Sequence, residues 1–174
     1  MVAGTVKQLL SDVAWGNLDY LLVDLPPGTG DAPMSLAQLV PLTGVLLVTT
    51  PHNVAANIAG KAAGLFRRLN SPILGVVENM ATYSCPTCGT VSRIFAGLRG
   101  DELAKQLQVP FLGSIPLDPG VGAAADQGLP SVVADPNSPQ AQAFRQVAGD
   151  LARHVSIRSL ASAETNPEFQ TIEG

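Results

Sequence analysis

The chain has 174 residues, of which 46% are hydrophobic and only 14% are charged, and its formal net charge is −4. This length suits one domain with a real core, and the acidic balance gives no electrostatic case for nucleic-acid binding, which calls for a basic patch. No segment approaches the roughly 20 consecutive apolar residues of a membrane span, so we expect neither nucleic acid nor a membrane as a partner.

Short apolar runs alternate with helical patterns along the chain. In chain order the sequence predicts helix 2–13, strand 18–25, helix 32–40, strand 45–50, helix 54–69, strand 73–78, helix 101–107, strand 111–115 and helix 141–154. The strands are nearly continuously apolar, which is typical of strands buried on both faces. The alternation predicts an α/β fold, a three-layer sandwich with a mainly parallel sheet.

The last residues of the chain differ from the rest in composition. From Ser159 onward the sequence is small or polar and shows no periodicity. We therefore predict one domain over residues 1–157 and a disordered tail over 158–174. The first residues show no signal-peptide pattern, and two cysteines three positions apart cannot form a disulfide framework, so we predict a cytoplasmic protein.

An aspartate ends the first predicted strand. Asp24 follows the run Leu21-Leu22-Val23 and precedes a Pro/Gly-rich turn that contains Gly28. Open α/β sheets bind ligands at the carboxyl ends of their strands, and a carboxylate there suits Mg²⁺. Gly28 would let the backbone approach a phosphate closely. The alternative is an acid that closes a strand before an ordinary turn.

Cys85 and Cys88 form a C-P-T-C-G motif in a loop after the third predicted strand. Two thiolates at this spacing can bind one metal ion or one edge of a cluster, but a soft four-coordinate site needs about four such ligands. A second copy of the chain would complete the set. A bridging Zn²⁺, a thioredoxin-like redox pair and two unliganded thiols are the alternatives, and the loop context disfavours the redox pair.

Several motifs together resemble the Mrp/ApbC-type iron–sulfur cluster carrier ATPases, which belong to the wider group of MinD, ParA and nitrogenase iron proteins. The resemblance is carried by DYLLVDLPPGTGD at 19–31, VTTP at 48–51, GVVENM at 75–80, CPTCG at 85–89 and FLGSIPLD at 111–118. It implies a P-loop NTPase-like fold and a homodimer that holds a bridging [4Fe–4S] cluster on Cys85 and Cys88. It also implies delivery of that cluster to apo-proteins.

The same resemblance implies a site for ATP and Mg²⁺. Asp24 and Gly28 match the catalytic segment that surrounds Mg²⁺ and the γ-phosphate, and Asn79 matches the residue that reads the adenine base. Pro116 and Asp118 match the segment that closes over the adenine. For Asn79 the alternative is an ordinary turn-forming asparagine.

The sequence departs from this family in one large respect. It contains neither G-x-x-x-x-G-K-[ST] nor the family's KGGxGKS loop, whose N–H groups and lysine would bind the phosphates. We expect a fragment of a longer protein rather than a degenerate paralogue, with little ATP hydrolysis by this chain alone. The rival functions are a MinD/ParA-like regulatory ATPase and a non-catalytic scaffold with a structural zinc.

Overall fold

The computed structural model describes residues 2–164, with side chains described for residues 4–161. In chain order its elements are α1 (Val2–Ser11), α2 (Asp31–Leu39), β1 (Val45–Thr49), α3 (Asn53–Arg68), β2 (Ile73–Ser84), β3 (Val91–Ser92), α4 (Gly100–Leu107), β4 (Phe111–Leu117), α5 (Gly120–Asp126), α6 (Ser131–Ala134) and α7 (Pro139–Glu164). Among the described residues, no helix combines the length and the apolar character that crossing a membrane requires.

The sheet is built around β2. Both β1 and β4 pair with β2 in parallel, so that Val77 lies between Val48 of β1 and Gly113 of β4. The short β3 is antiparallel to the end of β2 and pairs through Tyr83 and Ser92. The prediction of a mainly parallel sheet is confirmed, and β3 makes the sheet mixed.

Helices cover both faces of the sheet, which gives the three layers that the alternation predicted. Successive side chains of a strand point to opposite faces, and Val76 and Val77 accordingly belong to two separate cores. The first core packs against α3 and α4, and its buried members are Leu47, Ala56, Ala59, Ala63, Val76, Leu103 and Ala104. The second core packs against α7, and its buried members are Val77, Leu112, Ile115 and Val147.

The prediction of a buried strand over residues 18–25 is wrong. This segment has no regular secondary structure, and its apolar side chains are exposed, up to 76% for Leu22. A strand becomes regular only when a neighbour satisfies its N–H and C=O groups. Among the described residues, no strand pairs with this segment. Its composition favours a strand, but pairing decides whether one forms.

The ends of two elements differ from the predictions, and three elements are additional. The strand β2 continues past residue 78 to Ser84, and β3, α5 and α6 are elements that the apolar pattern did not indicate. The helix α7 continues to Glu164, so the first part of the predicted disordered tail is helical. Residues 165–174 of that tail lie outside the described residues.

Candidate functional site

The two cysteines lie on the turn of a β-hairpin. Ser84 at the end of β2 pairs with Val91 of β3. Cys85, the next residue toward the turn, donates its N–H to the Thr90 carbonyl at 3.0 Å. The Gly89 N–H closes the turn onto the Cys85 carbonyl at 2.8 Å, and Gly89 has φ of +71°. A left-handed residue at this point favours glycine. The cysteines therefore sit on a hairpin turn rather than at the start of a helix.

The sulfur atoms have different surroundings. Both thiols are free; Cys85 is half-buried and Cys88 is exposed. The Cys88 Sγ lies 3.2 Å from the Thr90 Oγ1. Hydrogen bonds from the Thr90 side chain, then from its backbone and from the Cys85 side chain, lower the pKa of the Cys88 thiol below its ordinary value. Such lowering favours the thiolate, which is the form that binds metals.

The donor set fits a soft metal ion or one edge of a cluster. Thiolates are the ligands that zinc and iron–sulfur clusters prefer. In residues 2–164 no group of three or more His, Cys, Asp or Glu side chains is arranged to hold a metal ion. Cys85 and Cys88 together supply two ligands, which is fewer than the four that such a site needs.

A cavity of about 410 Å³ lies beside the cysteine turn. It brings the predicted nucleotide residues Pro116 and Asp118 together with Pro86, which stands between the two cysteines. The remaining lining residues are Tyr83, Ser84, Leu117, Pro119, Gly120, Pro139 and Gln140. One cavity is thus bounded both by the cysteine turn and by the segment expected to close over a nucleotide base.

Hydrogen bonds fix the far wall of this cavity. The Asp118 Oδ1 accepts from the Gly120 N–H at 2.8 Å, which orders the turn between β4 and α5. The Gln140 Nε2 donates to the Pro116 carbonyl at 3.4 Å, and Gln140 is buried. This contact ties the first turn of α7 to β4. The sequence analysis did not identify Gln140, because nothing in its local pattern separates it from a surface residue of a helix.

Asn79 lies within β2 rather than after its end. It pairs with Ile115 of β4, and the register of the two strands then shifts before Tyr83. The Asn79 Oδ1 accepts from the Met80 N–H at 2.9 Å, and Met80 has φ of +56°. The break that the sequence suggested at Asn79 is therefore an irregularity in a longer strand. Its side-chain oxygen is already engaged, and Asn79 is not among the residues that line the cavity.

The residue before Asn79 is a buried carboxylate that sequence reasoning treated only as the end of a strand. Glu78 is 1% exposed, and its Oε2 accepts from the Ser114 hydroxyl at 3.3 Å. A Cβ added at Gly100 would lie 2.7 Å from the Glu78 Cβ, so the absence of a side chain at Gly100 lets α4 begin directly against β2. Glu78 thus holds β2 against β4 beneath the start of α4.

Asp24 and Gly28 lie in the irregular segment between α1 and α2. Asp24 is exposed, while Gly28 is half-buried with φ of +101°, a value that favours glycine. Neither residue has a hydrogen bond or an ion pair to another residue of the described range, and neither lines the cavity. The structure therefore brings Pro116, Asp118 and the cysteine turn together, but it gives Asp24 and Gly28 no contact with them.

Thr90 is the second site residue that sequence reasoning missed. Its position just after Gly89 and before Val91-Ser92 is a hairpin signal, because a glycine turn followed by β-branched residues is typical of a returning strand. That signal could have placed Thr90 opposite the cysteines, although it does not predict the contact with sulfur.

Comparison with known proteins gives a consistent result. Residues 1–152 match the ParA family, described as the NUBPL iron-transfer P-loop NTPases. The "Iron-sulfur cluster carrier protein" of Deinococcus radiodurans is 48% identical over 161 residues, which is 92% of this chain and 45% of that protein. The "Iron-sulfur cluster transfer protein NUBPL" of Mus musculus is 40% identical over 155 residues, covering 89% of this chain and 49% of that protein.

A solved structure is similar in fold as well as in sequence. The nucleotide-binding protein from Archaeoglobus fulgidus in complex with ADP, in which cobalt was found, superposes with a TM-score of 0.65 at 40% identity. The match covers 73% of this chain and 52% of that one. The fold is thus that of the P-loop NTPases, and the chain spans about half the length of the curated relatives it matches.

Proposed function

Because this chain belongs to the ParA family of NUBPL iron-transfer P-loop NTPases, we propose that it carries an iron–sulfur cluster on Cys85 and Cys88 and delivers it to apo-proteins. One observation supports this above the rest. Both thiols are free and stand together on a glycine-closed hairpin turn, where the chain presents them without a disulfide or another metal ligand of its own among the described residues. An accessible pair of this kind can receive a cluster and release it again.

The cluster is a [4Fe–4S] unit shared by two copies of the chain. The turn supplies two thiols, and a cluster of this type takes about four. A twofold axis that brings two such turns together supplies the rest without further ligands from either chain. Cys88 is exposed, as a ligand that faces a second copy must be in the single chain.

A nucleotide site accompanies the cluster site in this proposal. Pro116 and Asp118 would contact the adenine end from the cavity wall, and Asn79 would approach the base with its amide. Asp24 would hold Mg²⁺, and Gly28 would let its loop follow the γ-phosphate. The ADP of the Archaeoglobus structure supports a nucleotide as ligand. A phosphate-binding loop is not part of the 174 residues, so ATP hydrolysis by this chain alone is expected to be negligible.

Anaerobic reconstitution tests the cluster directly. The purified chain is incubated with iron and sulfide, desalted, and examined for thiolate-to-iron absorbance and for iron and sulfide content. The wild-type chain should take up a cluster and pass it to an apo-ferredoxin, whereas the Cys85→Ser/Cys88→Ser variant should do neither. Thr87→Val is the matched control, because Thr87 is an exposed residue of the same turn. Equal cluster content in the wild-type chain and the double-serine variant would refute the proposal.

A structural zinc site is the second candidate, because a C-P-x-C-G hairpin also suits Zn²⁺. Elemental analysis of the protein purified without oxygen separates the two candidates. Iron and sulfide in equal amounts support the carrier. Stoichiometric zinc that iron and sulfide cannot replace supports a scaffold instead.

A further inference from the structure

We propose that Thr90 is a positioning residue for metal binding, and that its hydroxyl holds the Cys88 sulfur in place and tunes its bond to the metal. This inference rests on the part of the proposed function that places a metal or cluster on the cysteines. Neither the sequence motif nor the family match identifies Thr90.

The contact follows from how the hairpin closes. Thr90 accepts the Cys85 N–H on its carbonyl at 3.0 Å, and its Oγ1 lies 3.2 Å from the Cys88 Sγ. One residue therefore contacts both cysteines, Cys85 through the backbone and Cys88 through the side chain. Thr90 is itself held by its neighbour Val91, which pairs with Ser84 across the hairpin. Backbone hydrogen bonds thus hold the main chain of Thr90, and from this position its hydroxyl reaches the sulfur.

The chemistry of the sulfur gives this contact a consequence. In the thiol form the Cys88 S–H donates to the Thr90 hydroxyl oxygen. Once the sulfur has lost its proton to bind a metal, the hydroxyl turns its hydrogen toward the sulfur and donates instead. Such a hydrogen bond stabilises the bound state because it orients the ligand and offsets part of the negative charge on the sulfur. It also withdraws electron density from the sulfur, which changes the energy of its electronic transitions.

A second threonine in the same turn, Thr87, serves as a control for Thr90. Thr87 stands between the cysteines and is exposed, and no hydrogen bond from its hydroxyl to either sulfur is present in the described part of the chain. Thr87→Val and Thr90→Val are the same change of side chain in the same turn. They differ in whether a hydrogen bond to sulfur is lost.

The test uses Co²⁺ and Zn²⁺ as probes of the full chain, under reducing and oxygen-free conditions. Co²⁺ titration reports the thiolate-to-metal charge-transfer band, and competition with a chromophoric chelator gives the Zn²⁺ affinity. Thr90→Val should bind Zn²⁺ about 10-fold more weakly, the lower end of the effect of losing a hydrogen bond to a metal ligand. Its Co²⁺ band should move to lower energy, because a sulfur without a donor holds its electrons less tightly.

Two variants separate positioning from a merely structural role. Thr90→Ser keeps the hydroxyl and should restore both the affinity and the band position, and Thr87→Val should leave both unchanged. Thermal unfolding followed by circular dichroism checks that all variants fold. If Thr90→Val matches Thr87→Val in affinity and in band energy, or if the wild-type chain binds neither metal, the inference is wrong. If Thr90 governs Co²⁺ binding while reconstitution yields no cluster, the carrier function fails and the role of Thr90 stands.

Discussion

At the scale of single residues, the two cysteines share one turn but differ in their exposure. Cys88 is exposed and is hydrogen-bonded to the Thr90 hydroxyl, which lowers the pKa of its thiol, while Cys85 is half-buried beside it. Thiolate ligands must be deprotonated before they bind metal, so any group that favours the thiolate also favours binding. Cys88 is therefore the sulfur that we expect to engage a metal first.

The lowered pKa of Cys88 predicts its reactivity. A thiol whose pKa is lowered becomes a thiolate at lower pH, so alkylation of Cys88 should begin to rise at lower pH in the folded chain than in the urea-unfolded chain. Iodoacetamide labelling of the metal-free, reduced protein, resolved by peptide mass spectrometry, gives this pH profile. Thr90→Val should move the folded midpoint back up, because the Thr90 side chain is the largest cause of the shift. Coincident profiles for the folded and unfolded chains would contradict the prediction.

Some of the residues that the sequence singled out lie close together in the structure. Cys85 and Cys88 are evident from their spacing, and Pro116 and Asp118 from motifs that the structure places around one cavity with Pro86. The contact of Thr90 with sulfur could not be predicted, because it depends on a hydrogen bond that forms only when β3 returns beside β2. The binding roles assigned to the residues that lie together remain predictions, as do those of Asp24, Gly28 and Asn79.

At the scale of elements, the apolar pattern of one segment predicts a strand that the structure does not contain. Residues 18–25 have the composition of a buried strand, yet they are irregular and exposed, while β1 has a similar apolar run and is ordered beside β2. The sequence determines which residues can form a strand. Whether a strand forms depends on a neighbour that satisfies its backbone, and an apolar run carries no information about such a neighbour.

The exposure of this segment predicts the cost of substitutions there. Leu22→Ser should change the free energy of unfolding by less than about 0.5 kcal/mol, as is usual for exposed positions. Leu112→Ser is the control, because Leu112 is 5% exposed and its loss should cost more than about 2 kcal/mol. Urea unfolding followed by circular dichroism measures both values. A cost for Leu22→Ser comparable with that for Leu112→Ser would show that the segment is buried after all.

Other elements could be predicted where the spacing of apolar residues was regular. The helix α3 follows from alanines and a phenylalanine that recur on one face, namely Ala56, Ala59, Ala63 and Phe66, all of them buried. The far half of β2 and the last turns of α7 are mixed in polarity, so hydrophobic pattern could not mark where they end. Backbone pairing with β3 and β4 carries β2 on to Ser84.

At the scale of the whole molecule, one chain presents fewer thiols than the proposed cluster requires. The three layers support the β2–β3 hairpin and the cavity beside it, and the hairpin offers two sulfur ligands. The chain spans about half the length of the relatives it matches, so an activity that belongs to a full-length relative is only proposed for this chain. The central proposal needs no part of the relatives beyond this chain: two copies together supply the four thiolate ligands of one cluster.

Native mass spectrometry of the reconstituted protein, sprayed without oxygen, tests that claim most directly. We expect the wild-type chain to give a species with the mass of two chains and one [4Fe–4S] cluster. The Cys85→Ser/Cys88→Ser variant should give only single chains at the mass of the metal-free polypeptide. A wild-type chain that stays at the mass of one metal-free polypeptide after exposure to iron and sulfide, or that pairs without iron, would contradict it.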